Sequence, residues 1–304
     1  AGTAAATESA LATATWTGPD GAGTYYTTPG QAVNASHDGQ RYLQYRVILD
    51  AVAKAARPAL DSIAITYTAA FTRPLTARGP AGTPVYTGLH AAEVSAAGEV
   101  DDVTIDLEAG MVVSLLLRPA ATLTAGLEFR SPAGTSLGTS QGTTPGQRAV
   151  LQGLPVVVGG SYTVRCTGLA GTGAYDVVLA VNAVLDADWS GSAGNDTFAT
   201  AQALAAGVFP LGDGATCLAV TEASSAPFGD DVYRLDLTAG ERLYVALNVA
   251  RTLELYDGTE TLVRTGAATG VGSLRTIPAY TVPAAGTYYI RVAGASYANQ
   301  ALLV

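Results

Sequence analysis

Apolar and polar residues alternate in short stretches along most of the chain, and Gly, Pro and Asp clusters separate the stretches. Tyr42–Leu49, Ser62–Thr68, Val103–Leu107, Tyr162–Cys166, Ala174–Val181, Val232–Leu237 and Thr287–Val292 all carry this pattern. A period of two places alternate side chains on opposite faces, which predicts half-buried β-strands. Helical periodicity is weak: Ala51–Ala56 and Phe198–Ala206 have room for a turn or two each. Many short strands at regular spacing predict an all-β protein built of antiparallel sandwiches or barrels, jelly-roll-like in plan. The most apolar stretch, Met111–Leu117, stops at Arg118-Pro119. A membrane-spanning helix needs about 20 such residues, so none is expected.

The pattern repeats. Asp101–Gly110 (DDVTIDLEAG) returns as Asp231–Gly240 (DVYRLDLTAG), with five of ten positions identical. Gly160–Gly168 (GSYTVRCTG) returns as Gly286–Gly294 (GTYYIRVAG), keeping Gly, Tyr, Arg and Gly in place. Gly134-Thr135 and Gly258-Thr259 form a third pair of turns. Order and spacing are preserved, so the C-terminal two-thirds reads as two copies of one β module. Tyr162, Val164 and Cys166 should then share a core face equivalent to that of Tyr288, Ile290 and Val292. The expected domains are an N-terminal β unit at 1–75 and sandwiches at 76–184 and 185–304.

The second copy carries a family resemblance. Its leader is Asn195-Asp196-Thr197 with Ala199-Thr200-Ala201-Gln202, followed by Asp230-Asp231-Val232-Tyr233, Leu237-Thr238-Ala239-Gly240, Leu253-Glu254-Leu255-Tyr256 and Pro283–Val292. These features resemble the bacterial pre-peptidase C-terminal (PPC) domain, related to the collagen-binding modules of bacterial collagenases. The first copy is similar from Asp101 onward and lacks the Asn-Asp-Thr leader. The resemblance implies two non-enzymatic, jelly-roll-like sandwiches. Such modules are accessory parts of secreted proteins, and some bind calcium or fibrous protein. In residues 1–75, Trp16–Gly21, Gly23–Tyr26 and Arg41–Val47 resemble the last strands of sugar-binding-type jelly rolls in bacterial surface proteins. Roughly five strands make a thin unit, which should lean on another surface because small domains bury a low fraction of theirs.

Composition narrows the function classes. Charged residues make up 13% of the chain, hydrophobic residues 48%, and the net charge is −9. This balance argues for a folded chain and against a nucleic-acid footprint. The opening Ala1-Gly2-Thr3 and the Thr, Ser, Gly and Tyr vocabulary suggest a mature secreted or cell-surface chain without its signal peptide. Asn34-Ala35-Ser36 and Asn195-Asp196-Thr197 fit the glycosylation sequon.

Parts for catalysis are few: two His (His37, His90) and two Cys (Cys166, Cys217). Gly134–Gly138 matches G-x-S-x-G, but that motif requires a strand, a sharp turn and a helix, and here a hairpin turn is expected. Ser36-His37-Asp38 has the letters of a triad, yet consecutive residues do not converge on one point. Cys166 aligns with Val292 and reads as a buried thiol; a bond to Cys217 would have to cross modules.

The richest chemistry is oxygen. Asp186-Ala-Asp188-Trp-Ser190-Gly191 opens with the spacing of an EF-hand loop, but its twelfth position is Thr197 rather than the bidentate Glu. The PPC resemblance frames the stretch differently. It implies a Ca²⁺ site assembled from Asp186, Asp188, Asn195, Asp196, Asp230 and Asp231, the leader folding back toward the Asp pair. Hard oxygens at this density suit Ca²⁺. The alternative is a polar linker of Asx turns.

Function is expected to be structural and non-catalytic: a homo-oligomeric subunit of an extracellular filament or surface assembly. Its head-to-tail contacts would run through a strand at Leu11, Thr13, Thr15 and Trp16, which carries no charge to block edge pairing. The rival is an accessory module of a larger secreted hydrolase, binding an extracellular polymer.

Overall fold

The computed structural model of the 304-residue chain describes residues 1–5, 8–28, 30–37, 42–48, 63, 65, 69–78, 83–190, 194–212, 215–221, 229–269, 275–294 and 301–304. The fold is all-β, in several mostly antiparallel sheets. It divides into two compact units, 1–66 and 67–304.

In the first unit Gly2–Ala5 is a central strand, flanked by Thr17–Gly18 on one side and Tyr42–Tyr45 on the other, with Gly21–Ala22 beyond. The strand expected over Leu11–Trp16 does not form. Glu8–Thr13 is a 3₁₀ helix, closed by Ala14 N–H to the Leu11 carbonyl, and 14–16 are irregular. Thr13 and Thr15 are exposed, Leu11 is half-buried, and Trp16 lies under the Arg46 guanidinium at 4.7 Å. Local ring closure outcompetes a stretch that finds no partner strand. Ala51–Ala56 and most of Ser62–Thr68 lie outside the described residues.

The second unit contains both repeats. In each, one sheet has the same order. In the first copy it runs Ser136–Gln141, Leu123–Arg130, Gly160–Gly171, Val100–Leu107, Ala69–Ala70. In the second it runs Leu262–Thr265, Thr252–Tyr256, Gly286–Ala293, Asp231–Leu237, Gln202–Ala203. The last strand of each is parallel, and in matching register: Ala69 opposes Val103 as Gln202 opposes Tyr233. Phe71 and Leu204 then donate to the carbonyls of Thr104 and Arg234, at 3.0 and 3.1 Å. The first copy therefore begins before residue 76, and 69–75 belong to it rather than to the N-terminal unit.

Tyr162, Val164 and Cys166 face the first core, and Tyr288, Ile290 and Val292 the second, all at most 4% exposed. Each tyrosine hydroxyl donates to the carbonyl four residues earlier, Val158 at 2.6 Å and Ala284 at 3.0 Å. The equivalence of the copies thus extends to their polar detail.

The other sheet of the first copy centres on Val112–Pro119 and Gly173–Val181. Its Val113, Leu115, Leu117, Val177 and Leu179 enter the first core. The alternate residues Val112, Leu116, Val178 and Ala180 join a third cluster with Trp189, Phe209, Cys217 and Ala219 of the second copy. The two sandwiches are packed back to back, giving four layered sheets. Tight backbone approach seals the junction: Gly153 has φ +62°, and a Cβ there would overlap the Ala206 carbonyl.

Both cysteines are free, one in the first core and the other in the junction, so no bond crosses modules. Burial pushes the Cys166 thiol up to about 12 and the Cys217 thiol up to about 11. Two outcomes are expected. Leu116→Ala should destabilise the protein by about 2–5 kcal/mol in denaturant titration, because a cavity opens between packed sheets. Both thiols should resist alkylation in the folded protein and react on unfolding.

Candidate metal centre

Val184–Leu185 pairs in parallel with Val220–Thr221, and the chain then turns into a single helical turn, Ala187–Ser190. Asp186 sits at the junction, fully buried. Its Oδ1 accepts from the Asp188 N–H at 2.9 Å, and its carbonyl accepts from the Ser190 N–H at 2.9 Å. Its Oδ2 accepts from the Tyr233 hydroxyl at 2.7 Å and from Asn195 Nδ2 at 3.3 Å.

The leader does fold back. The Asn195 carbonyl accepts from the Val232 N–H at 2.7 Å, which seats the Asn195 side chain beside Asp186. Asn195 is fully buried, and its Oδ1 has no hydrogen-bond partner. Such an atom in a closed site costs about 1–3 kcal/mol unless something answers it. Burial also makes this sequon asparagine inaccessible.

Oxygen atoms of Asp186, Asp188 and Asp231 lie within 4.8 Å of one another. Asp196 adjoins them across glycine. A Cβ on Gly194 would stand 2.7 Å from Asp188 Oδ1 and 2.9 Å from Asp196 Oδ2, and one on Gly229 would stand 2.8 Å from Asp196 Oδ1. The two glycines form a cradle that any side chain would fill.

Four carboxylates gather here, and among the described residues the Arg251 guanidinium pairs with one of them, Asp231. Arg251, 2% exposed, pairs with Asp231 and donates to the carbonyls of Gly229, Val292 and Gly294. The Asp188 carboxyl is pushed above its ordinary value first by burial and then by the negative charges of Asp186 and Asp196. Dense, hard, anionic oxygen with an unanswered amide oxygen fits Ca²⁺ rather than a soft metal.

Asp230, expected as a ligand, points elsewhere. Neighbouring residues entering a strand face opposite ways. Asp231 turns inward, while Asp230 pairs with Arg291 on the outer face and accepts from the Gly294 N–H at 2.8 Å. Burial raises the Asp230 carboxyl, but that N–H and Arg291 outweigh it and hold it below the usual range. Arg251 and Tyr233 are site residues that the sequence reading missed. Tyr233 carried one signal: it aligns with Val103, a polar hydroxyl where the other copy is apolar.

The first copy has no equivalent cluster among the described residues. Asp101, aligned with Asp231, accepts from the Tyr175 hydroxyl at 2.7 Å, and Asp102 makes a bidentate pair with Arg165, both bonds 2.7 Å.

The catalytic candidates remain scattered. His37 Nε2 lies 2.9 Å from Thr17 Oγ1, and Asp38 is outside the described residues. His90 packs edge-on to Phe71, and burial lowers its pKa against the opposing charge of Asp101. Ser136 opens an exposed hairpin strand, and the next element is the strand Ala149–Pro155 rather than a helix.

No family model matches the chain, and no curated protein matches it by sequence. Among solved structures it is similar to PliG of Aeromonas hydrophila, a periplasmic lysozyme inhibitor of g-type lysozyme. The identity is 9% over 38% of this chain and 95% of that one, with a TM-score of 0.27. The PBSX exported protein XepA is 10% identical, covering 75% of this chain and 87% of its own, also at 0.27. The CUB1-EGF-CUB2 region of human MASP-1/3 is 10% identical over 71% and 98%, at 0.23.

A carboxyl whose folded pKa exceeds its unfolded value opposes folding above that value, and the opposition fades as pH falls through it. In chelator, Asp188→Asn should therefore be more stable than wild type at neutral pH. The gap should close as pH drops through the folded pKa of Asp188, read by denaturant titration at each pH. Arg251→Ala should cost about 3–5 kcal/mol, since it strands a buried carboxylate.

Proposed function

We propose that the chain is a non-catalytic structural protein of an extracellular assembly, with a Ca²⁺-stabilised double sandwich and an N-terminal unit that contacts other subunits. The observation that carries this reading is the imbalance between the two units. Residues 67–304 bury three apolar clusters of their own. In the N-terminal sheet, Tyr42–Tyr45 is an edge among the described residues. Along it and just beyond, Leu43, Tyr45 and Val47 recur every second position and are 41%, 57% and 40% exposed, with Ile48 at 58%. The strand Tyr42–Tyr45 itself carries no charge, Arg46 beyond it lying over the Trp16 ring, and an uncharged apolar edge is a template for pairing with another chain. This edge replaces Leu11–Trp16 as the contact surface. A contact of this kind that does not close on itself generates a filament.

Calcium belongs to the same reading. The PPC resemblance, the excess carboxylate charge and the unanswered Asn195 oxygen all support it. An ion bound only by the folded state raises stability. Millimolar Ca²⁺ should raise the unfolding midpoint relative to chelator, and Asp196→Ala should remove the increase; equal midpoints would refute the ion.

Self-association is tested separately by sedimentation and negative-stain microscopy. Wild type should form oligomers or fibres at high concentration, and Tyr45→Lys should weaken them while leaving the fold intact. A wild-type monomer at every concentration would sink the assembly reading and favour an accessory module that binds an extracellular polymer.

A further inference from the structure

The backbone that presents Asp186 and Asp188 is held from both sides, and one side belongs to the other sandwich. From the second copy, Gln202 accepts from the Ala187 N–H and donates to the Leu185 carbonyl, both at 2.9 Å. From the first copy, the Gln152 amide clasps Leu185 at both ends: Nε2 donates to its carbonyl and Oε1 accepts from its N–H, each at 2.9 Å. Arg148 Nη1 donates to the Trp189 carbonyl at 2.7 Å. The Trp189 side chain, 4% exposed, is packed in the junction with Val112, Leu116 and Val178. The first sandwich therefore grips residues 185 and 189, which bracket both carboxylates.

We infer that Arg148 and Gln152 are positioning residues for the cation site of the neighbouring sandwich, so that Ca²⁺ binding and the docking of the two sandwiches are coupled. The inference rests on reading the acidic pocket as a cation site. Its physical basis is that ligand groups must be fixed in place before the ion pays for their mutual repulsion, and partners behind the ligands do that fixing. Coupling of this kind is reciprocal: whatever the docked interface contributes to ion affinity, the ion returns to the interface. The first copy lacks an ion cluster among its described residues, yet it would take part in ion binding through its edge strand, Ala149–Pro155, and the residue before it, Arg148.

The test is calorimetric titration of the full chain with Ca²⁺. The double variant Arg148→Ala with Gln152→Ala should bind about tenfold more weakly or worse, the usual scale for loss of groups that orient metal ligands. Arg148→Lys, which keeps one donor for the Trp189 carbonyl, should bind nearly as wild type. Arg118→Ala removes an ion pair with Asp176 elsewhere on the first sandwich and should leave affinity unchanged. A folded double variant with wild-type affinity overturns the positioning role while leaving the ion site standing. A wild type that binds no Ca²⁺ overturns the ion reading and this inference with it. Hydrogen exchange on the unmutated protein gives a second readout. The amides of Leu185 and Gly153 should exchange more slowly with Ca²⁺ than in chelator, and equal rates overturn the coupling.

Discussion

The structure of residues 67–304 depends on one burial event, the packing of one sheet's second face. Val112–Pro119 and Gly173–Val181 present apolar side chains on both faces, one set to their own core and the other to the partner sandwich. A fully buried Val or Leu is worth roughly 1.5–3 kcal/mol relative to exposure. The junction residues Val112, Leu116, Val178 and Ala180 would otherwise form an apolar patch facing water. Docking removes it and turns two repeats into one body. Around this apolar contact the polar clasps of Gln152 and Arg148 acquire their geometry, since each reaches backbone of the other sandwich.

Among the described residues, the chemically loaded pocket is found in one of two equivalent copies. Both copies place an aspartate at the start of the same strand, Asp101 and Asp231. In the first, the Tyr175 hydroxyl answers it and the surroundings stay simple. In the second, Arg251 answers it, while the leader brings Asp186, Asp188, Asn195 and Asp196 beside it. A buried ion pair alone contributes little net stability, because desolvation offsets the attraction. Its place here is organisational: Arg251 ties Gly229, Asp231, Val292 and Gly294 together and so sets the wall against which the leader folds.

The N-terminal unit follows a different economy. Its central strand, Gly2–Ala5, is made of small residues and is paired on both sides. Small side chains bury little area, so the sheet gains mostly backbone hydrogen bonds. Its larger apolar groups, Tyr45 and Ile48 among them, remain in solvent. That contrast with the C-terminal block underlies the proposal that the unit is completed by another surface.

Much of this was legible from the residues themselves. Alternation marks strands because a pleated backbone sends successive side chains to opposite faces. It located Val103–Leu107, Tyr162–Cys166 and Thr287–Val292 within observed strands, and the repeated Gly-x-Tyr stretches placed equivalent tyrosines in equivalent cores. The apolar run at Met111–Leu117, interrupted only by Ser114, was also a signal, since a strand buried on both faces loses its alternation. Other features depended on partners distant in sequence. Nothing local separates Asp230 from Asp231; strand phase turns one to Arg291 and the other to Arg251. Nothing local marks Leu11–Trp16 as the end of a 3₁₀ helix and an irregular segment rather than a strand, because a strand exists only where another strand accepts it. The sequence by itself determined the class of fold, its duplication and the stretch of chain that carries the acidic oxygens. Tertiary structure decided which carboxylates meet, which cation answers them and which faces pack, because burial and pairing are properties of surfaces that form only once the chain has folded.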